Sequence, residues 1–332
     1  MSAQEADMTW LFSVAMLLAF CFAYPTDVQA SQGAKERSID ELPVTAEVER
    51  TGDFVAWGFD ALWMMTAAAT SLVDGEWKSI GASLVRVDGK TNQAEDNVIR
   101  EATASVRGLA IGEGAIWIPN SGTEQIFKFD PVGRRVVLAI PVRFNGTEGS
   151  VGVGEGSVWI TARGNVLTRF NAITGAEEAT IKLPGEAPAA IVDNGIVWVT
   201  GFDRGELYKI DARTNTLVQT IPLRPRPRFL TAGEGSIWVH NQGDNSLQRI
   251  DPASGEVIAT IETGLVGRGG DIATGGGYVW FSLSGTPLVQ IDPRTNAVVA
   301  VFKGIGWGDA VRFGGGSLWM SGHSIRRLMP PD

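Results

Sequence analysis

Three arginines stand two residues apart in RPRPRF, residues 224–229. The alternating prolines fix φ and hold such a run extended. Planar guanidinium forks at Arg224, Arg226 and Arg228 suit a carboxylate or a phosphate, and Arg107, Arg163 and Arg268 stand ready to join them if the fold brings them near. The alternative for the same stretch is a solvated loop whose arginines pair with Glu148 or Glu186. Acid–base chemistry has a narrower base. The chain holds two histidines, His240 and His323, too few for a site built from several imidazoles. His240 closes the run SIWVH and is the candidate general base if the protein is a catalyst. A hard cation such as Mg²⁺ or Ca²⁺ would need oxygen ligands, for which Glu148, Asp271 and Asp309 are the candidates, with Asp53 and Glu186 in related positions. No nucleophile elbow, Gly-rich phosphate loop or HExxH motif is present.

These residues must be positioned by something, and the sequence supplies it as a repeat. GEGAIW ends at Trp117, GEGSVW at Trp159, DNGIVW at Trp198, GEGSIW at Trp238, GGGYVW at Trp280 and GGGSLW at Trp319, with a weaker copy, GFDALW, ending at Trp63. The seven tryptophans are spaced 54, 42, 39, 40, 42 and 39 residues apart. A period near 40 marks a repeat architecture. Each unit carries four strand signals separated by turns, as in FLTA, SIWVH, SLQRI and EVIATI. Four-stranded units arranged radially make a β-propeller. The expected fold is therefore all-β, a seven-bladed propeller spanning residues 43–332. The tryptophan, at one place in every unit, is expected to pack between neighbouring sheets. The aspartate or asparagine at 130, 171, 211, 251 and 292 opens a turn, where its side chain bonds its own backbone. The last unit stops after three strands, while VTAEVERTG, residues 44–52, is shaped like VIATIETG, residues 257–264. The N-terminal strand is expected to complete the last blade and so remove an open edge.

In such a ring, one face is built from the second-to-third turns and the interblade connections, and the channel opens there. That register collects Asn120, Arg163, Arg204, His240, Asn241 and His323 after the tryptophans. It collects Arg107, Arg226, Arg228 and Arg268 before the inner strands. In the first unit 25 residues separate Trp63 from Asp88, where other units take 12 or 13. The extra segment, with Asp74, Trp77 and Lys78, is expected to be a loop that lids the channel mouth.

The bulk numbers exclude some partners. With 332 residues, 44% hydrophobic, a net charge of −9 and no Lys/Arg run, the chain is unsuited to nucleic acid. Trp10 to Tyr24 is a 15-residue apolar run followed by PTDVQA. It is short for a membrane span and reads as a signal peptide, residues 1–30, cleaved after Ala30; an uncleaved anchor is the alternative. Cleavage would also remove Cys21, the one cysteine. Residues 31–42, SQGAKERSIDEL, read as a flexible polar lead-in. The mature protein is expected to be periplasmic or secreted, off the membrane and monomeric, because ring closure needs no partner.

The repeat GxGxhWh followed by hxxID(P)xT/SG (h, apolar) resembles periplasmic propellers of the YVTN-repeat kind and the streptogramin (virginiamycin B) lyase group, over residues 44–329. The resemblance to the lyases implies a seven-bladed ring that opens a cyclic ester by elimination, using Mg²⁺ with His and Glu near the channel. In that group a Trp-Phe strand is followed by Glu or His. Here VWFSLSG places Ser282, Leu283 and Ser284 there, and VHN supplies His240. Gluconolactonase-type propellers are similar in architecture. The leading expectation is a binding or scaffold propeller that presents its channel mouth to a small molecule or a protein, with no cofactor beyond a possible Mg²⁺ or Ca²⁺. The alternative is a metal-assisted lyase or lactonase.

Overall fold

The structure, a computed structural model, describes residues 28–30, 33–50, 52–102, 108–143 and 150–331. Seven four-stranded antiparallel sheets succeed one another along the chain. Blade five shows the plan: Pro227–Gly233 innermost, then Ser236–Asn241, Ser246–Ile250 and, at the rim, Val257–Glu262. The protein is a seven-bladed β-propeller, as the tryptophan spacing predicts.

Neighbouring blades meet at glycine. A Cβ on Gly58 would come within 2.6 Å of Ile111 in the next blade; one on Gly112 would come within 2.8 Å of Val153. The same contact joins Gly154 to Val192, Gly233 to Thr274, Gly275 to Phe313 and Gly314 to Trp57, the last closing blade seven onto blade one. Glycine is required for that close approach. Between blades four and five Asp193 takes the glycine's place, and the small Ala232 stands at the matching position opposite.

The seven aligned indoles are at most 1% exposed. Six of them donate Nε1–H to the carbonyl of the glycine five residues earlier, as Trp238 does to Gly233 at 3.1 Å. Trp198 is the exception, and its glycine has become Asp193. A cation from the third strand lies over most of these indoles, with Arg249 5.1 Å from the Trp238 ring. It also reaches the next blade. Lys128 donates to the Ala172 carbonyl, Arg169 to Ala212, Lys209 to Pro252 and Ala253, Arg249 to Pro293, and Arg327 to Gly89. Each acceptor lies in the next blade's third-to-fourth turn. Blade six carries Gln290 at this place, and blade seven has no such turn to accept, because its fourth strand comes from the other end of the chain. Arg249→Gln is therefore expected to cost about 2 kcal/mol in denaturant melts, and Gln290→Arg should also destabilise, because it buries a guanidinium where no such carbonyl accepts it.

The turn aspartates act as expected. Asp251 Oδ1 accepts from the N–H groups of Ala253 at 3.0 Å and Ser254 at 2.7 Å, and Asp211 and Asn171 repeat the pattern. Backbone donors hold the Asp130, Asp211 and Asp251 carboxyls below the usual aspartate range.

Closure is also as expected. Val44–Val48 pairs antiparallel with Ile325–Leu328 and completes blade seven. What precedes it corrects the flexible lead-in. Lys35–Ser38 runs parallel to the outer strand of blade six, Ala297–Lys303, as a fifth strand. A short 3₁₀ turn, Ile39–Glu41, follows with a capping box in which Glu41 accepts the Ser38 N–H at 2.9 Å. Ile39 and Leu42, 0% and 3% exposed, anchor it beside Phe302 and Leu288. The polar composition of 31–42 hid those two apolar anchors. Val28–Ala30 pairs in the same way on blade five. The rest of the expected signal peptide, residues 1–27, lies outside the described residues.

The expected lid loop is instead a hairpin. Ala61–Val73 and Glu76–Asp88 stay paired out to Val73↔Glu76, so blade one extends beyond its neighbours on the channel-mouth side. Asp74 and Gly75 turn it with φ of 54° and 79°, the left-handed pair that a tight hairpin requires.

Candidate functional site

The inner strands enclose an axial cavity of about 350 Å³. Most of its lining residues are apolar, among them Phe54, Leu109, Val151, Ile191, Leu230 and Ile272, with Thr231 and Thr274, but the surface they expose to the cavity is as much polar as apolar. Asp271 and Arg312 supply the charge. Three inner strands depart from regular pairing where they begin, between Asp53 and Val55, Pro227 and Phe229, and Trp307 and Val311. Bulges at such points re-aim side chains. These are the strands that bring Phe54, Phe229 and Arg312 to the cavity.

Asp271, 4% exposed, is held from three sides. Ile272 N–H donates to Oδ1 at 2.9 Å and Val311 N–H to Oδ2 at 3.1 Å. Arg312 Nη1 donates to Oδ2 across the blade six–blade seven junction. Burial pushes the Asp271 carboxyl upward, and these donors pull against it. Because both oxygens accept, the geometry is built for the carboxylate. Arg312 itself is 30% exposed by side chain, and Nη1 also donates to the Val311 carbonyl at 2.6 Å. Among the described residues, Nε and Nη2 of Arg312 meet no acceptor. Each oxygen of Asp271 already accepts from a protein donor, one on Oδ1 and two on Oδ2. Of the other expected metal ligands, Glu148 and the side chain of Asp309 lie outside the described residues. Among the described residues, no group of three His, Cys, Asp or Glu stands together as a metal set.

Several of the expected face residues have local partners. Arg163 reaches Glu124 of the neighbouring blade at 3.7 Å, and Arg204 pairs with Glu206 at 2.9 Å. Arg224 pairs with Glu262 and stands 3.8 Å from Asp244, so its partners are in its own blade rather than Glu148 or Glu186. Arg226 is exposed, 6.0 Å from the Phe202 ring, and half-buried Arg228 lies 5.1 Å from the Phe229 ring. Arg268 and His323 are exposed on the outer loops. Asn120 is fully buried, its Oδ1 accepting from Thr123 N–H at 2.9 Å. Arg107 and the side chain of Trp77 lie outside the described residues.

His240 is not at the surface. It is fully buried between Phe229 and Phe281, with ring centroids 6.2 and 4.5 Å away, and its Nε2 lies 3.3 Å from Asn245 Oδ1. Asn241 beside it, equally buried, donates to Ser246 Oγ and Gln248 Oε1, each at 3.1 Å. A general base at the channel mouth must reach substrate, and this imidazole has no exposed surface to do so. Burial lowers its pKa from 6.5 to about 4. The unfolded chain therefore takes up a proton that the folded one refuses. Stability from this residue is complete above pH 6.5 and is lost as pH falls toward 4, by about 3 kcal/mol in all. His240→Phe should flatten that part of the stability–pH curve, read as the difference between variant and parent in urea melts.

Arg312 and the third-strand cations escaped the sequence reading, although a signal existed. The residue seven before each aligned tryptophan is Ala56, Ala110, Gly152, Ile191, Thr231, Ala273 and then Arg312. One charge in a column of small and apolar residues marks the channel wall. The cations stand two residues before the turn Asp or Asn, at Arg86, Lys128, Arg169, Lys209 and Arg249.

Among solved structures, the β-propeller domain of Cps50 (Swd1) from Myceliophteria thermophila is similar. It superposes with a TM-score of 0.69 over 87% of this chain and 100% of that one, at 12% sequence identity. That likeness is one of fold. No protein-family model matches the chain, and no curated protein matches it.

Proposed function

We propose that this protein is an exported, non-catalytic binding propeller that takes a small molecule into its axial channel. The observation that carries the reading is the cavity of about 350 Å³, lined by apolar residues with polar surface between them and supplied with a half-buried cation in Arg312. Apolar concavity with a few placed polar groups is the usual make-up of a small-molecule site, and this volume is within the usual range. Export rests on the apolar run Trp10–Tyr24 and the small residues at Val28 and Ala30. Thr231, half-buried in the channel wall, gives the test. A panel of small amphiphiles is screened by melting temperature, since a ligand bound only by the native state raises it. Hits whose shift disappears in Thr231→Trp support the channel. Hits that shift Thr231→Trp as strongly as the parent would place binding elsewhere and end the reading.

A further inference from the structure

Resting on the channel reading, we infer that the ligand is a monocarboxylate with an apolar body, its carboxylate held by the Nε–H and Nη2–H edge of Arg312. Asp271 takes three donors, Ile272 N–H, Val311 N–H and Arg312 Nη1, which leaves its carboxylate matched without outside help. Nη1 of Arg312 is further committed to the Val311 carbonyl. The guanidinium is thereby fixed at one end. Its remaining edge carries two parallel N–H groups that meet no acceptor among the described residues, on a side chain that lines the cavity and is 30% exposed.

Two consequences follow from that edge. A wholly apolar ligand would strip water from the two donors and leave them unpaired, which costs roughly 1–3 kcal/mol and selects against hydrocarbons. A carboxylate meets them with two parallel charge-assisted bonds, about twice as strong as bonds to a neutral carbonyl. The anchored guanidinium also loses little freedom on binding, because Asp271 already fixes its plane. Half-buried Phe54, Leu109 and Ile191 line the cavity where the body of the ligand would lie.

The test uses the full mature chain and calorimetric titration with benzoate, 3-phenylpropanoate and hexanoate, each beside its own amide. At least one acid is expected to bind roughly tenfold or more tighter than its amide. That binding should be lost in Thr231→Trp and weakened by roughly tenfold in Arg312→Lys, which keeps the ion pair but not the fork. If Arg312→Lys fails to fold, the acid–amide comparison on the parent protein decides alone. Amides that bind as tightly as their acids, in a manner lost in Thr231→Trp, would overturn the carboxylate and leave the channel reading standing. Binding of the acids unchanged in Thr231→Trp would overturn both. No binding by any of the six at millimolar concentration would overturn the carboxylate inference.

Discussion

A chain shortened to begin at Glu49 is expected to lose cooperative folding, whereas one beginning at Ser31 should keep nearly all of its stability. The first deletion removes Val44–Val48, the outer strand of blade seven, together with the Ile39 and Leu42 anchors. Val48, 6% exposed, packs in one cluster with Val55, Met64, Trp319 and Ile325. Exposing three aliphatic side chains of this kind forfeits roughly 5–9 kcal/mol, comparable with the whole stability of an ordinary domain. It also bares the Ile325–Leu328 edge, whose backbone groups then lack partners. The second deletion stops where the signal peptide is expected to be cut. It removes Val28–Ala30 from the rim of blade five but spares Lys35–Ser38 on blade six. Far-UV circular dichroism through a thermal scan separates the two results: a sharp transition for the longer chain, none for the shorter.

The second large effect lies in the channel. Asp271→Ala is expected to destabilise the protein by about 3–5 kcal/mol, because it leaves Arg312 partly buried without its counter-charge. Asp271→Ala/Arg312→Leu should recover most of that loss, since an apolar pair owes no desolvation penalty for buried charge. Urea melts of the two single variants and the double variant close the cycle. Near-additive losses would mean that the two side chains do not act as a unit. The same double variant should fold and yet bind no carboxylate, which divides the structural role of the pair from its role toward ligand.

Much of the frame was legible in the chain itself. The spacing of the tryptophans gave the blade count, and the likeness of 44–52 to 257–264 gave the closure, because both rest on strict repetition of local chemistry. The turn aspartates were legible for the same reason: their bonds run to residues two and three positions on. What crosses between blades was harder to see. Arg249 reaches a carbonyl 44 residues away, and a pattern read within one unit contains no trace of that acceptor. Lys35–Ser38 adds to blade six in parallel, a pairing with no turn to announce it, so the segment reads as polar linker. The hairpin of blade one misled for another reason. Its alanines, serines and threonines carry little hydrophobic alternation, and the pairing is set by the Asp74–Gly75 turn.

The site was legible in part. In the sequence Asp271 stands out by its charge as a candidate metal ligand, and its partner Arg312 is hidden because it sits 41 residues away in the next blade. The rim arginines attracted notice by their number. In the structure Arg163, Arg204 and Arg224 pair with carboxylates near them. His240 looked like chemistry because histidine often is chemistry; burial between two phenylalanines gives it a packing role.

All of this depends on a ring sealed by the N-terminal strand, and one bond can report it. Glu47 and Arg326 are register partners in blade seven, and Nε of Arg326 lies 3.0 Å from Glu47 Oε1. Directly opposed residues on antiparallel strands have Cα separations within disulfide range. In a Cys21→Ser background, Glu47→Cys/Arg326→Cys is expected to form its disulfide within one chain on mild oxidation of the folded protein and to raise the melting temperature. Two thiols that stay free and reactive in the native protein would show that the ends of the chain do not meet.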